Sequence, residues 1–268
     1  MLLAVATLAA LVLVPFLFWR GTWFGRPLPD HEIDAYLRDE SKPRHVQHAL
    51  VQISHRLEKG DRSVERWYGQ VAALGRHPVA ELRVTAAWLM GQDNRSDPFH
   101  RALAALLADT EPVVRRNAAL SLVRFNDAAG RTELRAMLRP FTLLAPREGV
   151  LRYRLLAGQM VDHGTLVARI ETGETEPFEV RSPLPGKFGH KIAADGARLR
   201  PGQEILSLDP SEGHVWEALR ALYLVGTAED LADVEKFTRP VVAWSAQIVE
   251  QAGRTAQQIR SRGGGNRE

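Results

Sequence analysis

The sequence predicts a multidomain α plus β chain: an N-terminal transmembrane helix, an α-solenoid of helical pairs, a small two-halved β-sandwich and C-terminal helices. Three observations predict it. Leu2 to Trp19 carries no charged residue. Residues 30–140 are rich in alanine and leucine at helical spacing, and one passage there recurs. Residues 145–208 contain one short passage twice.

The first element is the uncharged run, assigned to residues 1–20. Thr7 is its only polar side chain. As a helix rising ~1.5 Å per residue, the run spans about 27 Å, close to the ~30 Å hydrocarbon core. Trp19, Trp23 and Phe24 stand where an interfacial aromatic belt would lie. No basic stretch precedes the run and no small-residue cleavage site follows it, so an uncleaved anchor is expected rather than a signal peptide. Residues 21–29 form a juxtamembrane linker. Arg20 and Arg26 follow the span and no lysine or arginine precedes it, which favours a body on the cytoplasmic side of a single-pass membrane protein, with the acids Asp30, Glu32 and Asp34 leaving an outward-facing body as the alternative.

The second element, residues 30–140, reads as paired helices. Its clearest passage is Asp109-Thr110-Glu111-Pro112-Val113-Val114-Arg115-Arg116-Asn117-Ala118-Ala119-Leu120. Proline suits a first helical turn, and the alanine pair lets helices approach closely. Arg83-Val84-Thr85-Ala86-Ala87-Trp88 is a second copy 32 residues earlier, and His45-Val46-Gln47-His48-Ala49-Leu50 a third, 38 residues earlier still. Second helices are expected near 62–74, 98–108 and 131–138. The passage resembles the HEAT repeat, D-x-x-x-x-V-R-x-x-A-A, in the compact bacterial form of phycobilisome-lyase type. The resemblance implies a stacked solenoid with an extended protein-binding surface.

The third element, residues 141–210, has internal two-fold pseudo-symmetry. Ala145-Pro146-Arg147-Glu148-Gly149-Val150-Leu151 matches Ser182-Pro183-Leu184-Pro185-Gly186-Lys187-Phe188, 37 residues on. Gly158, Val161, Gly164, Val167 and Ile170 match Gly196, Leu199, Gly202, Ile205 and Leu208, 38 residues on. The glycines predict turns with positive φ, and the alternating apolar positions predict half-buried strands. The pattern resembles the biotinyl/lipoyl domain. It departs at the joint between the halves, residues 171–179, which has no lysine; Lys187 and Lys191 belong to the second half. The resemblance therefore implies a barrel without the carrier lysine, unmodified and used for docking. Adaptor subunits of secretion and efflux systems share that barrel, but insert a long helical hairpin where this chain has a short joint.

Helical patterning returns over 211–262, in Trp216 to Leu222, Leu231 to Phe237 and Val241 to Arg260. Residues 263–268, opening on three glycines, are expected to be a disordered tail.

Chemistry is sparse. With no cysteine there is no disulfide, thiolate nucleophile or cysteine metal site. The net charge is +3 and the arginines are interleaved with acids, which argues against nucleic-acid binding. His45, His48 and His55 share one helix, with His48 and His55 about 20° apart and His45 some 60° away at 100° per residue. They could ligate a metal, but spacing supplies no fourth ligand, and a solvated helix face is the reading preferred. Val64, Trp67, Val71 and Leu74 form a core stripe. Gly91-Gln92-Asp93-Asn94 reads as a helix-to-helix turn, and the acidic joint 171–179 as a solvated hairpin. No catalytic, cofactor-binding or metal residue is assigned, and no enzyme is expected. The function expected is a membrane-anchored scaffold or adaptor for a protein partner. The alternative is an accessory subunit of a membrane transport or secretion complex; a lyase or carrier ranks below both.

Overall fold

The computed structural model describes residues 27–39, 41–173, 175–239 and 244–264. Helix starts follow local chemistry. α1 (Asp30–Leu37) carries Asp30 and Glu32 in its first turn, where negative charge meets the positive end of the helix dipole. α2 (Pro43–Glu58) opens on a proline whose missing N–H costs nothing there. A 3-10 turn (Arg62–Trp67), capped by Asp61, leads into α3 (Tyr68–Ala73). α4 (Ala80–Met90), α5 (Asp97–Leu106), α6 (Pro112–Val123) and α7 (Arg131–Ala136) follow.

α2, α4 and α6 stack side by side as one layer. Ala86, Ala87, Ala118 and Ala119 are fully buried in it. Small residues set the spacing: the Ser121 hydroxyl donates to the Ala87 carbonyl at 2.8 Å, and a Cβ on Gly91 would sit 2.6 Å from that hydroxyl. Two arginines, 32 residues apart, tie each pair to the next in the same way. Arg83 donates to the carbonyls of His77 and Pro78 and to both carboxylate oxygens of Asp109, at 2.7 and 2.8 Å. Arg115 donates to the carbonyls of Asp109 and Thr110 and to Glu133 at 2.7 Å.

The β module begins after α7. Its strands are β1 (Phe141–Leu144), β2 (Gly149–Tyr153), β3 (Met160–Val161), β4 (Leu166–Glu171), β5 (Phe178–Arg181), β6 (Gly186–Lys191), β7 (Arg198–Leu199) and β8 (Glu204–Pro210). They form two four-stranded antiparallel sheets, in the orders β1-β8-β6-β3 and β5-β4-β2-β7. Exchanging the two sequence halves turns one order into the other. The exchange holds bond by bond. Ala145 pairs with the backbone of Gln203 and Gly202, as Ser182 does with Thr165 and Gly164. Leu151 pairs with Ala197 and Gly196, as Phe188 does with Gln159 and Gly158. Gly158, Gly164, Gly196 and Gly202 all have φ between +80° and +92°, where a side chain would be strained. A Cβ on Gly149 would lie 2.5 Å from the Glu171 carbonyl oxygen, and one on Gly186 2.5 Å from that of Asp209.

The chain then returns to the helices. α8 (Glu212–Val225), capped by Ser211, joins the layer beside α6. The short α9 (Leu231–Val234), flanked by 3-10 turns, and α10 (Ala246–Gly264) close the array. One core is shared across the insertion: Leu134, Met137 and Leu138 pack with Val215, Leu219 and Ile248. The sandwich keeps a core of its own around Leu151, Val167, Phe188 and Ile205. Since Phe141 pairs with Leu208, the module enters and leaves the helical array at one point.

One part of the expected fold class is corrected. Among the described residues no helix is long and apolar enough to cross a membrane. The physical reason is amphipathicity: the longest helix, α10, carries Glu250, Arg254, Arg260 and Arg262. The transmembrane assignment, the single-pass localisation and the cytoplasmic placement derived from it are withdrawn with this finding. The uncharged run itself, 2–19, lies outside the described residues, as do 265–268 of the expected tail. α10 continues to Gly264, past the expected boundary at 262.

Candidate functional site

The layer α2-α4-α6-α8 presents a groove. Its central part, of about 510 Å³, lies between α4, α6 and α8, over Trp88, Arg116, Leu120, His214 and Leu224. Trp88 and Arg124 carry it towards Leu57 and Glu58 of α2. Arg220 and Leu224 carry it towards Gln251 and Arg254 of α10. Every large hydrophobic side chain exposed on the described helices lines this groove: Trp88 (44% exposed), Tyr223 (37%) and Leu224 (56%). The other exposed large hydrophobics, Leu144, Leu156, Met160 and Ile192, belong to the β module.

At the centre of the groove the electrostatics are unbalanced. Arg116 is only 5% exposed, and among the described residues it makes no hydrogen bond or ion pair; its Nε is buried without a partner. Glu133, the nearest acid on α7, is held by Arg115. Burial pulls the Arg116 guanidinium down to about 10, against the attraction of Glu133. His214, in the first turn of α8, has a buried Nδ1 that also lacks a partner. Burial, and then the Arg116 charge, pulls its imidazole down to about 4, so it is neutral at pH 7. Glu217 stands at the exposed rim; partial desolvation of its carboxyl raises it above the usual range, and Arg220 opposes the shift. Four arginines (116, 124, 220 and 254) and two glutamates (58 and 217) line the groove. Its charge is net positive, and among the described residues the deepest of those charges, Arg116, has no bonded counter-ion.

The residues singled out from sequence lie elsewhere. His45, His48 and His55 share α2, but not one environment. His45 stacks on Tyr36 at 4.2 Å and hydrogen-bonds Asp39 at 2.9 Å. His48 is 3% exposed beneath α1, so the solvated-face reading fails for it. Tyr36 of α1 reaches over this side of α2, a packing partner that the periodicity of α2 alone does not contain. Burial pushes the His48 imidazole below its ordinary value, and the neighbouring His45 adds to this. Only His55 is solvated. Among the described residues no group of three His, Asp or Glu side chains is placed to hold a metal.

Val64, Trp67, Val71 and Leu74 are all buried. The 91–94 turn is more than a turn. Asp93 is 4% exposed and accepts from the Tyr68 hydroxyl at 2.8 Å and from Arg62 at 2.8 Å. Burial raises the Asp93 carboxyl, but these bonds outweigh it and hold the group below its ordinary value. In the joint, Glu171 pairs with Arg152, and Glu179 with Arg169 and Arg181. Lys191 lies over the Tyr153 ring at 4.5 Å. Lys187 sits in β6 opposite Met160.

Sequence reasoning missed Arg116, His214 and Glu217 as a group. The β module separates Arg116 from His214 by 98 positions. The available signal was that Arg116 falls among buried positions of α6, beside Val114 and Ala118, where an arginine is out of place. No protein-family model matches the chain, and no curated protein matches it.

Proposed function

We propose that the chain is a scaffold or adaptor that holds an extended segment of a partner protein in the groove over α4, α6 and α8. One observation carries the reading: the large hydrophobic side chains exposed on the described helices gather in that groove. Contiguous exposed apolar surface rimmed by polar groups marks an interaction site. Tryptophan, tyrosine and arginine, all present there, are the residues that dominate binding energy at interfaces. The repeated arginine ties and buried alanine pairs support reading 30–140 as HEAT-like repeats, an architecture whose concave face commonly binds proteins. The exchange symmetry of the two sheets supports reading 141–210 as a biotinyl/lipoyl-like module. Without a lysine in its joint it acts through its surface, as a second docking face.

Photocrosslinking tests the reading. A benzoylphenylalanine replaces Trp88 or Leu224 in the chain expressed in its native host; a control replaces Ala104, exposed on α5. Discrete cross-linked adducts from positions 88 and 224, absent from 104, are expected. Equal adducts from all three positions, or none from the groove, would sink the proposal.

A further inference from the structure

We propose that Arg116 is the floor of a carboxylate site, which takes an aspartate or glutamate side chain from an apolar-flanked segment bound in the groove. The inference rests on the scaffold reading above and adds the chemistry of the partner.

A buried guanidinium without a partner is unfavourable. Desolvating the ion costs several kcal/mol unless an opposite charge compensates it. Arg116 is 5% exposed, with no ion pair and no hydrogen bond among the described residues. The obvious internal acid does not serve, because Arg115 takes Glu133 at 2.7 Å. The facing groups do not serve either. His214 is neutral at pH 7 and is disfavoured as a cation by Arg116 itself. Arg220 and Arg124 share its sign. Glu217 stands at the rim and forms no ion pair with Arg116.

What remains is the cavity over Arg116, whose lining includes the exposed side chains of Trp88 and Leu224. A carboxylate entering there would form charge-assisted hydrogen bonds with the guanidinium fork, the pairing its geometry suits best. Its neighbours along the peptide would lie on Trp88 and Leu224. Alternate side chains of an extended peptide share a face, at about 3.3 Å rise per residue, so apolar residues two positions to either side of the acid face those two side chains while the acid points down. The net positive lining favours an acidic segment over a basic one. The occupant is thus an internal acidic residue of a protein segment. A chain-terminal carboxylate or a free small anion are the rivals that the test separates.

The test uses the full chain, with 15N-arginine and 13C-histidine labels, and two capped peptides, acetyl-Leu-Ala-Glu-Ala-Leu-amide and acetyl-Leu-Ala-Gln-Ala-Leu-amide. The glutamate peptide is expected to shift the Arg116 Nε–H resonance saturably. It should bind about tenfold or more tightly than the glutamine peptide, as a charge-assisted hydrogen bond requires. It should also raise the His214 pKa, because the bound carboxylate offsets the Arg116 charge. In Arg116→Met the two peptides should bind alike. Arg116→Lys keeps the charge but loses the fork, and should retain part of the discrimination; it also guards against misfolding of the methionine variant. Four results would overturn the carboxylate site. The glutamate and glutamine peptides could bind alike to the native chain. The discrimination could survive Arg116→Met. Inorganic phosphate, or acetyl-Leu-Leu with a free C-terminal carboxylate, could bind as tightly as the glutamate peptide. Neither peptide could move the Arg116 signal. The groove reading is judged separately by the Trp88 cross-links, so the two can fail independently.

Discussion

Asp230 has no exposed side-chain surface and, with Asp233, faces the arginines on and just beyond α7. Arg131 approaches it at 3.0 Å, Arg135 lies 3.7 Å from it and 3.6 Å from Asp233, and Arg139 reaches Asp233 at 2.5 Å. Arg131 and Arg135 stand four apart on one face of α7, and Arg139 follows just beyond the helix. Removing one partner of such a pair leaves buried charge uncompensated. Asp230→Ala should therefore cost about 3 kcal/mol in chemical denaturation. Glu229→Ala, whose carboxylate is 72% exposed, should cost less than about 1 kcal/mol. Equal effects would refute this account. His214 makes a second residue-scale prediction. Its folded pKa of about 4 lies below the ordinary value of 6.5, so protonation favours the unfolded chain. The stability it contributes is complete above pH 6.5 and is lost as pH falls towards 4. Between pH 7 and 4.5 the native chain should lose on the order of 2–3 kcal/mol more than His214→Gln. His48, shifted the same way, is common to both proteins and cancels. Asp233, held at about 2 chiefly by Arg139, loses its contribution only below pH 3.8. Identical pH profiles for the two chains would show that His214 is not held neutral.

Between elements, the distance of approach is set by residues with little or no side chain. A Cβ on Gly130 would lie 2.6 Å from both Cα and Cβ of Ala119, inside the contact between α6 and the turn before α7. Gly130→Ala should cost about 1–3 kcal/mol by overpacking, and Ala119→Leu should be at least as harmful. Gly69, on α3, has nothing within 4 Å of the added atom. Gly69→Ala should be neutral or stabilising by up to about 1 kcal/mol, through helix propensity. Thermal midpoints that fall equally for both glycines would point to a general loss of helix rather than to a specific close approach. This scale was the most legible in the sequence, because its signals are local. The prolines at 43 and 112 stand in first helical turns. The paired glycines 158/196 and 164/202 have the positive φ that their turn spacing requires. The Val64-to-Leu74 stripe faces the core. What was not legible depends on distant partners. Asp93 looked like a turn former, but Tyr68 and Arg62 converge on it. His48 looked solvated because α1 is not part of the periodicity of α2. Arg116 and His214 meet only because α8 returns to the layer after the β module. The uncharged run 2–19 gave a strong one-dimensional signal, but no membrane-crossing helix occurs among the described residues.

At the scale of the molecule, the β module is an insertion that the helical array does not need in order to close. Its first and last strands are paired at Phe141–Leu208, so the helical chain arrives and departs a few ångströms apart. The core beyond it is assembled from both flanks, with Met137 and Leu138 against Val215 and Leu219. Arg131 of α7 and Arg139 just beyond it fasten the same two flanks through Asp230 and Asp233. The sandwich meanwhile buries its own apolar residues in a separate core. Loop-closure entropy grows only slowly with loop length, about 0.6 kcal/mol per doubling, so shortening the connection cannot by itself unfold the array. Replacing residues 141–209 with a short glycine-serine linker should therefore leave one cooperative helical unfolding transition. Its thermal midpoint should lie within several degrees of that of the native chain. The groove should survive as well, since Trp88, Arg116, His214 and Leu224 all lie on helices outside the deleted segment. Cross-linking from position 88 should be retained, while any partner that docks on the sandwich is lost. A shortened chain with helical circular dichroism but no cooperative transition would mean that the sandwich is part of the helical core. In that case the division into two surfaces, one for each docking event, would have to be abandoned.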